Sequence, residues 1–541
     1  MVQETARRLS KFGLVNLGDT KIGSIQPVAG GPEILAALTP EGSPYLLATH
    51  AEQHEPQALS AALMANNTAG VAIFFRDADD GYDVFRKNFR TGDITTVAAV
   101  DAVRQAQPGF EFRPAKVAGD ERTLEPLTSR LENVLFEVHS VMRDVDGLHA
   151  PDALDEICKV IFAKIFDEEQ AKDSGRHFFQ RALYSSIEEC AAAVRHLYLK
   201  AVGTADESSS QTTSNFELSL GAFREPIKLS SQAINRTVTL LEGYTISGSP
   251  VDIKGRAFQK VISASTRSGM GQYFTPKPVI SLCVQLLSPK ARDVVIDPFC
   301  GSGHFLIEAL DFVKAHGDHT SAQFHDFALG RLHGIEKSER MVRVAMTDMW
   351  LHGEGRSRIR YDDALLPLNH YSDFDGESFD VVLTNPPFGV DLPKEALAGL
   401  GPFEILNDRR GDPNSISLEI VAIDRCLELL RPGGRMAIVL PDGILSNRGT
   451  DYVRAWIRSK ALLKAVVSLP IETFTPFGAN IKTSILVLRK AKAGEKMPDK
   501  YNVFFADIAS IGHDASGREI DCDDLGALAA EFTKFVAEEG W

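Results

Sequence analysis

The stretch "DVVIDPFCGSGHFLIEAL", residues 293–310, decides how the rest of the chain is read. "DVVID" is a short β-branched run that ends on a carboxylate, and the residues after the glycines have the apolar spacing of a helix. Gly301 and Gly303 lie between the two. Glycine there lets the chain turn tightly and lets a ligand approach the backbone. Strand, glycine turn and helix in that order open a βα unit of a parallel sheet. The spacing is not G-x-G-x-x-G and no Lys-Ser/Thr follows, so neither a typical dinucleotide fingerprint nor a P-loop is present.

Working outward, short apolar runs alternate with helical stretches from about residue 250: "DVVID", "LHGIE", "RIRYDD", "DVVLT", "RMAIVLP", "LLKAVVSLP" and "TSILVLRK". This spacing predicts a doubly wound, mostly parallel α/β sheet with helices on both faces. Such sheets bind ligands beyond the carboxyl ends of their strands. The unusual residues do follow strands. Glu336 ends the second run, where a carboxylate can take the two hydroxyls of a ribose. Asp362 and Asp363 end the third. Asn385-Pro386-Pro387-Phe388 ends the fourth, and the two prolines, with φ fixed and no N–H to donate, stop that strand and present Asn385 and Phe388 at its tip.

Upstream the pattern differs. Residues 1–115 read as a small α+β domain, with a strand at "SPYLLAT", a helix at "EPQALSAALMANN" and a hairpin turning at Asp80-Gly81. Residues 116–245 read as helical. Leu154, Ile157, Val160, Ile161 and Ile165 recur at helical spacing behind Pro151-Asp152, and "ALYSSIEECAAAVRHLYLKAV" reads the same way. "GTADESSSQTTSN", 203–215, lacks apolar periodicity and reads as a mobile loop. The catalytic part is expected over 246–492, with an acidic extension at 493–541. The chain's 541 residues are too many for one core. No apolar run approaches the ~18 residues of a membrane span, and the N-terminus lacks a signal-peptide core, so the expected location is the cytoplasm. The six cysteines form no CxxC or Cys/His cluster, which argues against structural zinc or a disulfide framework, and no metal is expected.

Taken in order, D-P-F-C-G-S-G, an acidic strand end, D-D-A-L and N-P-P-F resemble the S-adenosylmethionine-dependent DNA adenine-N6 methyltransferases of bacteria and archaea. "GMGQYFTPKPV", 269–279, resembles that family's first cofactor motif. "LRPGGRMAIVLPDGIL", "SLPIETFTPFGANIKTSILVLRK" and the helical block around 153–169 resemble the modification (M) subunits of type I restriction–modification systems. The resemblance covers about residues 118–530. It implies a Rossmann-like methyltransferase domain preceded by a helical domain. It also implies that Tyr273, Phe274, Thr275 and Pro276 hold the methionine end of the cofactor. Asp297, Pro298, Gly301, Ser302 and Gly303 would line it, Glu336 would bind its ribose, and Asp362 or Asp363 its adenine. The family carries Gly at the position of Asp362, so the choice between the two carboxylates stays open.

The chemistry of N-P-P-F then follows. The lone pair of an aromatic amine is delocalised into its ring. Two acceptors on its N–H groups, the Asn385 side-chain carbonyl and the Pro386 backbone carbonyl, can push the nitrogen towards sp³, and the prolines hold both still. Phe388 offers a face on which an extruded base can stack. No hundred-residue recognition domain is evident, so the resemblance implies a separate specificity subunit, double-stranded DNA as substrate, and a restriction (helicase-nuclease) subunit nearby. The net charge of −15 hides a split: residues 431–492 carry 11 Lys/Arg against 3 Asp/Glu, and residues 493–541 carry 4 against 11. The basic stretch, with Arg409-Arg410, could contact phosphates, and the acidic end could face a partner or fold back. Residues 1–115 loosely resemble the nuclease-like domain of restriction subunits without its metal-binding residues. Two alternatives remain at this level: methylation of RNA or protein, and a non-catalytic cofactor- and DNA-binding scaffold.

Overall fold

The computed structural model describes residues 21–25, 34–38, 44–50, 71–75, 82–87, 94–97, 124–126, 132–174, 177–202, 220–223, 225–265, 274–317, 319–352, 358–371, 374, 378–407, 409, 414–518, 520 and 524–541. The chain divides into two compact units, Met1–Glu121 and Arg122–Trp541.

The first unit contains a sheet of β1 (Lys21–Ile25), β2 (Ile34–Leu38), β3 (Pro44–His50), β4 (Val71–Phe75), β5 (Tyr82–Lys87) and β6 (Ile94–Val97), in that spatial order. All neighbours are antiparallel except β3 and β4. The β4–β5 hairpin, with Phe75 opposite Tyr82, is the one expected from Asp80-Gly81. The helix expected at 55–67 lies outside the described residues.

The second unit begins with helices α1 (Glu132–Asp146), α2 (Ala150–Ser174), α3 (Ile187–Ala201), α4 (Ser231–Leu241) and α5 (Val251–Ser265). Ser186 and Ser230 cap α3 and α4, each accepting from an N–H of the first turn. The apolar face predicted for α2 is buried, from Leu154 to Ile165. Its charged face is buried too. Asp155, Glu156, Lys159, Lys164, Asp167 and Glu168 are all below 7% exposed, where an amphipathic helix would show them to water.

Each buried charge has a partner. Lys159 donates to Glu156 at 2.7 Å, and Lys164 lies 3.0 Å from Glu168. Glu168 accepts the N–H groups of Ile246 and Ser247, and Asp167 those of Phe178 and Phe179. Asp155 takes two bonds, of 2.6 and 3.1 Å, from the guanidinium of Arg343 in the helix Glu339–Leu351. The stretch 203–215 lies outside the described residues.

The remainder is the predicted α/β layer. In chain order it runs α6 (Lys277–Leu287), β7 (Val295–Asp297), α7 (His304–His316), β8 (Leu332–Glu336), α8 (Glu339–Leu351), β9 (Arg358–Tyr361), β10 (Phe379–Thr384), α9 (Leu418–Leu429), β11 (Leu430–Pro441), α10 (Asp451–Lys460), β12 (Ala461–Ser468), β13 (Thr483–Lys490), β14 (Phe504–Asp507) and α11 (Asp524–Glu539). The spatial order of the eight strands is β9-β8-β7-β10-β11-β13-β12-β14. All pairs are parallel except the two that β13 makes. From β7 the chain steps outward through β8 to β9, then crosses back to place β10 on the other side of β7. The topological switch is therefore the gap between β7 and β10. Both strands are fully buried, which is why they read as continuous apolar runs.

The acidic end folds onto this unit. β14 extends the sheet and α11 packs against α6. Glu495 takes two bonds, of 2.6 and 2.7 Å, from Arg489, which hold its carboxyl down at about 2. Lys464 donates to the carbonyl of Gly540 at 2.7 Å, and Arg435 lies over the Trp541 ring. Part of the basic stretch is thus spent on the acidic one.

Removing one partner of a buried ion pair leaves the other charge without compensation. Arg343→Ala is expected to lower stability by about 3 kcal/mol or more, read from the urea midpoint of the whole chain. Arg340→Ala, whose partner Asp152 is well exposed, should cost under about 1 kcal/mol.

Candidate active site

A cleft of about 600 Å³ opens at the switch point. The ends of β7, β8, β9 and β10 form its floor, and the segment before α6 closes one side. Phe274, Thr275, Asp297, Pro298, Gly301, Ser302, Glu336, Asp362, Asp363, Asn385, Pro386, Pro387 and Phe388 all line it. Pro276 does not; it caps α6, where its carbonyl accepts from Val279 and Ile280. Gly303 does not line it either, and Tyr273 lies outside the described residues.

The glycines of the first turn are needed by the backbone. Gly301 and Gly303 have φ of 50° and 79°, the left-handed region. A Cβ on Gly303 would also press on Ala345 at 3.3 Å. The turn aims the Gly301 N–H at Glu336, which accepts it at 3.0 Å on one oxygen and the Ser338 N–H at 2.7 Å on the other. Burial pushes the Glu336 carboxyl above its usual range, against these bonds.

Asp297 is 1% exposed. Its Oδ1 accepts from the Thr384 hydroxyl at 2.6 Å and the Phe299 N–H at 3.0 Å. Burial still pushes its carboxyl up to about 7. The two carboxylates after β9 have different neighbours. Asp363 holds the Lys337 ammonium at 2.6 Å and accepts the Leu365 N–H. Asp362 pairs with His370 at 2.9 Å and accepts the Asp363 N–H.

At the tip of β10 the Asn385 amide donates to the Thr275 hydroxyl at 2.9 Å. That bond fixes the amide and turns its carbonyl away. The Asn385 Oδ1 is buried and has no hydrogen-bond partner among the described residues. A buried acceptor left unpaired costs on the order of 1–3 kcal/mol, so such a group stands ready for a donor. Beyond it the Phe388 ring meets Phe474 edge-on at 5.3 Å, and Val390, Leu392, Ala396, Leu400 and Leu418 continue an apolar chamber.

Residues that sequence reasoning did not single out also line the cleft. His304 begins α7 directly after the glycine turn, Lys337 follows Glu336, and Phe474 arrives from a distant loop. His304 was adjacent to a recognised motif, and Phe474 lies inside the stretch 468–490 that carries the subunit resemblance, though not as a residue picked out within it. Behind His304, Asp348 of α8 is fully buried, 3.3 Å from His304 Nε2 and 3.4 Å from His352 Nδ1. Burial lowers the His352 pKa, but its bond to Asp348 outweighs that and brings it to about 9.

The strand order, with one antiparallel strand near the far edge and acidic groups at the switch point, is that of a doubly wound α/β unit with a ligand site at its switch point. Residues 251–540 match the family model described as N-6 DNA Methylase, over half of the chain, and the protein belongs to that family. The methylase subunit of the type I restriction enzyme EcoEI of Escherichia coli is 31% identical over 242 residues, 44% of this chain and 46% of that one. A methyltransferase subunit of a type I restriction-modification system from Streptococcus thermophilus superposes with a TM-score of 0.53 at 19% identity, covering 76% of this chain and 94% of that one. A chain from a study of type I R-M assembly and conformational transition gives 0.59 at 19%, covering 77% and 85%. The fold of the second unit is thus that of type I modification subunits. The chain spans about half the length of the curated relatives it matches.

The Asp297 carboxyl carries a pH signature. Its folded pKa, about 7, lies above the ordinary aspartate value of 3.8, so its contribution to stability is full below about pH 4 and is lost as pH rises towards 7. Asp297→Asn keeps an acceptor for Thr384 and removes the buried charge. The variant should gain on the order of 2–4 kcal/mol over wild type at pH 8, and that gain should shrink to near zero at pH 4 in urea titrations.

Proposed function

We propose that this chain is a site-specific DNA adenine-N6 methyltransferase acting as the modification subunit of a type I-like restriction–modification system, with S-adenosylmethionine as cofactor. The observation that carries the reading is the unpartnered Asn385 carbonyl, fixed by Thr275 at the mouth of a nucleoside-sized cleft.

The residues present fit the cofactor. Asp297, Glu336, Asp362 and Asp363 are acceptors when ionised, and they suit a ligand rich in donors: an ammonium, two ribose hydroxyls and an exocyclic amine. Phe274, Ile280, Phe305 and Ile335 supply apolar walls between them. The volume lies within the usual range for small-ligand sites. In this reading Glu336 holds the ribose, Asp362 or Asp363 the adenine, and Thr275 and Asp297 the methionine end. Phe274, Pro298, Gly301 and Ser302 complete that wall. When bound, the cofactor supplies a methyl group already activated on a sulfonium.

The chain's own task is to prepare the acceptor. A flipped adenine stacks on Phe388 and offers its amino group to the Asn385 and Pro386 carbonyls. Those acceptors draw the N–H groups out of conjugation and hold the nitrogen lone pair in line. They are preorganised by the Thr275 bond and by two proline rings, so little reorganisation is needed in the transition state. The apolar chamber around Phe474 excludes water from the amine.

Double-stranded DNA, a separate specificity subunit and a restriction subunit belong to this proposal. Among the described residues no helix is long and apolar enough to cross a membrane, and we place the chain in the cytoplasm. A small α+β part over 1–115, a helical part over 116–245, a catalytic part over 246–492 and an acidic extension over 493–541 form the proposed division. Arg448 and Arg458 are exposed members of the basic stretch, suited to sequence-independent phosphate contacts.

The test is transfer of labelled methyl from S-adenosylmethionine to adenine-N6 in duplex DNA, with and without the neighbouring specificity subunit. Asn385→Ala should lower kcat by about 10²-fold or more while leaving cofactor affinity within a few-fold of wild type. Cofactor binding with no labelled adenine in wild type under either condition would overturn the proposal.

A further inference from the structure

Phe388 sits between a rigid stretch of backbone and a flexible one. On the incoming side Pro386 and Pro387 fix φ. On the outgoing side stands Gly389, with φ of 68°, in the left-handed region. The residue type with the widest conformational freedom thus directly follows the ring on which a base is to stack. Pro387 and Gly389 are both exposed, so packing does not hold this side of the turn. A Cβ on Gly389 would meet no described atom within 4 Å, so the glycine serves the backbone angle rather than a close approach.

The turn is held by Glu419. This side chain belongs to the first turn of α9 and is 2% exposed. Its Oε1 accepts the Gly389 N–H at 2.7 Å, and its Oε2 accepts the Ser417 hydroxyl. Ser417 occupies the N-cap of α9, yet its side chain does not cap the helix; the hydroxyl is given to Glu419 instead. The Leu418 N–H, one of the groups that a helix start leaves without an intrahelical partner, donates to the Val390 carbonyl at 2.8 Å. Beyond it, Asp391–Pro393 pairs antiparallel with Ser415–Ser417. The start of α9 therefore grips the chain at the two residues that follow Phe388.

The fold of α9 does not require an acid there. Ser417 as an ordinary cap, with an apolar residue at 419, would start the helix without burying a carboxyl group. What the carboxyl adds is a fixed acceptor aimed at the residue after Phe388. Glu419 does not line the cleft itself, so it acts through the turn. The Phe388 ring meets Phe474 at 86° and 5.3 Å, an edge-to-face contact that depends on orientation. Freeing Gly389 lets the ring rotate out of it.

We infer that Glu419 is a positioning residue: by holding the Gly389 N–H it sets the plane of the Phe388 ring, and with it the depth at which an extruded base stacks and presents its amino group to Asn385. This rests on the reading of Phe388 given above. It adds to the site a side chain some thirty residues beyond the N-P-P-F motif, in a stretch whose sequence reads only as a helix start.

The experiment is a double-mutant cycle on the chain assembled with its specificity subunit and duplex DNA, following methyl transfer at saturating S-adenosylmethionine. Glu419→Met fills the same space and offers Gly389 no acceptor. It should lower kcat about tenfold while cofactor affinity, from calorimetric titration, stays within about twofold of wild type. Glu419→Gln, which keeps a carbonyl oxygen for Gly389, should recover most of the rate. In a Phe388→Ala background there is no ring to hold, and adding Glu419→Met should cost less than about twofold more. Should Glu419→Met not fold, Glu419→Ala takes its place in the cycle. Losses that multiply in the double variant would mark Glu419 as acting on the fold at large and overturn the inference. An unchanged rate in the single variant, or no recovery in Glu419→Gln, would overturn it too. If wild type binds cofactor and transfers no methyl, the functional reading itself fails and the inference falls with it; wild-type transfer with independent losses removes the inference alone.

Discussion

The hydrogen bond from Thr384 to Asp297, 2.6 Å long and wholly buried, joins the ends of the two strands that flank the topological switch. β7 and β10 are distant in sequence and adjacent in space, and each releases one functional loop. The glycine turn leaves from Asp297, and Asn385-Pro-Pro-Phe leaves from Thr384. Tying the last side chains of both strands together sets the spacing of those loops before any ligand arrives. The second tie, from Asn385 to Thr275, brings in the segment before α6. With both in place, three stretches separated by tens of residues present one surface.

That surface carries electrostatic strain. Asp297 is buried and Glu336 half-buried near it, and desolvation raises the pKa of both despite the N–H and hydroxyl donors around them. Stability is given up where these two carboxylates converge with no ion pair of their own among the described residues. The orphaned Asn385 carbonyl is the same kind of cost. Clusters of this sort are characteristic of sites shaped for a ligand rather than for the fold. The solution elsewhere in the unit is different: buried Asp155, Glu168 and Asp348 are each matched by a cation.

The helical part is bound to the α/β layer by just such matched groups. Asp155 of α2 meets Arg343 of α8, and Gln259 of α5 meets Asp348 of the same helix. Because α8 follows the Glu336 strand end, these contacts hold the back of the cleft. Helices that look like an appended domain in the sequence therefore act as its rear wall.

The sequence by itself determined the seven strands from Val295 to Lys490, their placement in a doubly wound layer, and the side chains at their carboxyl ends. Local signals suffice for this: period, β-branched runs, glycines at positive φ and prolines that end a strand. Tertiary structure decided the rest. That α2 buries its charged face from Asp155 to Glu168 as well as its apolar one could not be read, because a paired charge and a solvated charge look alike in a sequence. That His304 and Phe474 stand on the cleft wall with Asn385 depends on the crossover between β9 and β10 and on the loop after β12. Chain-local physics fixes what each segment becomes, and only the packing of distant segments fixes which polar atoms are satisfied and which are left to meet a ligand.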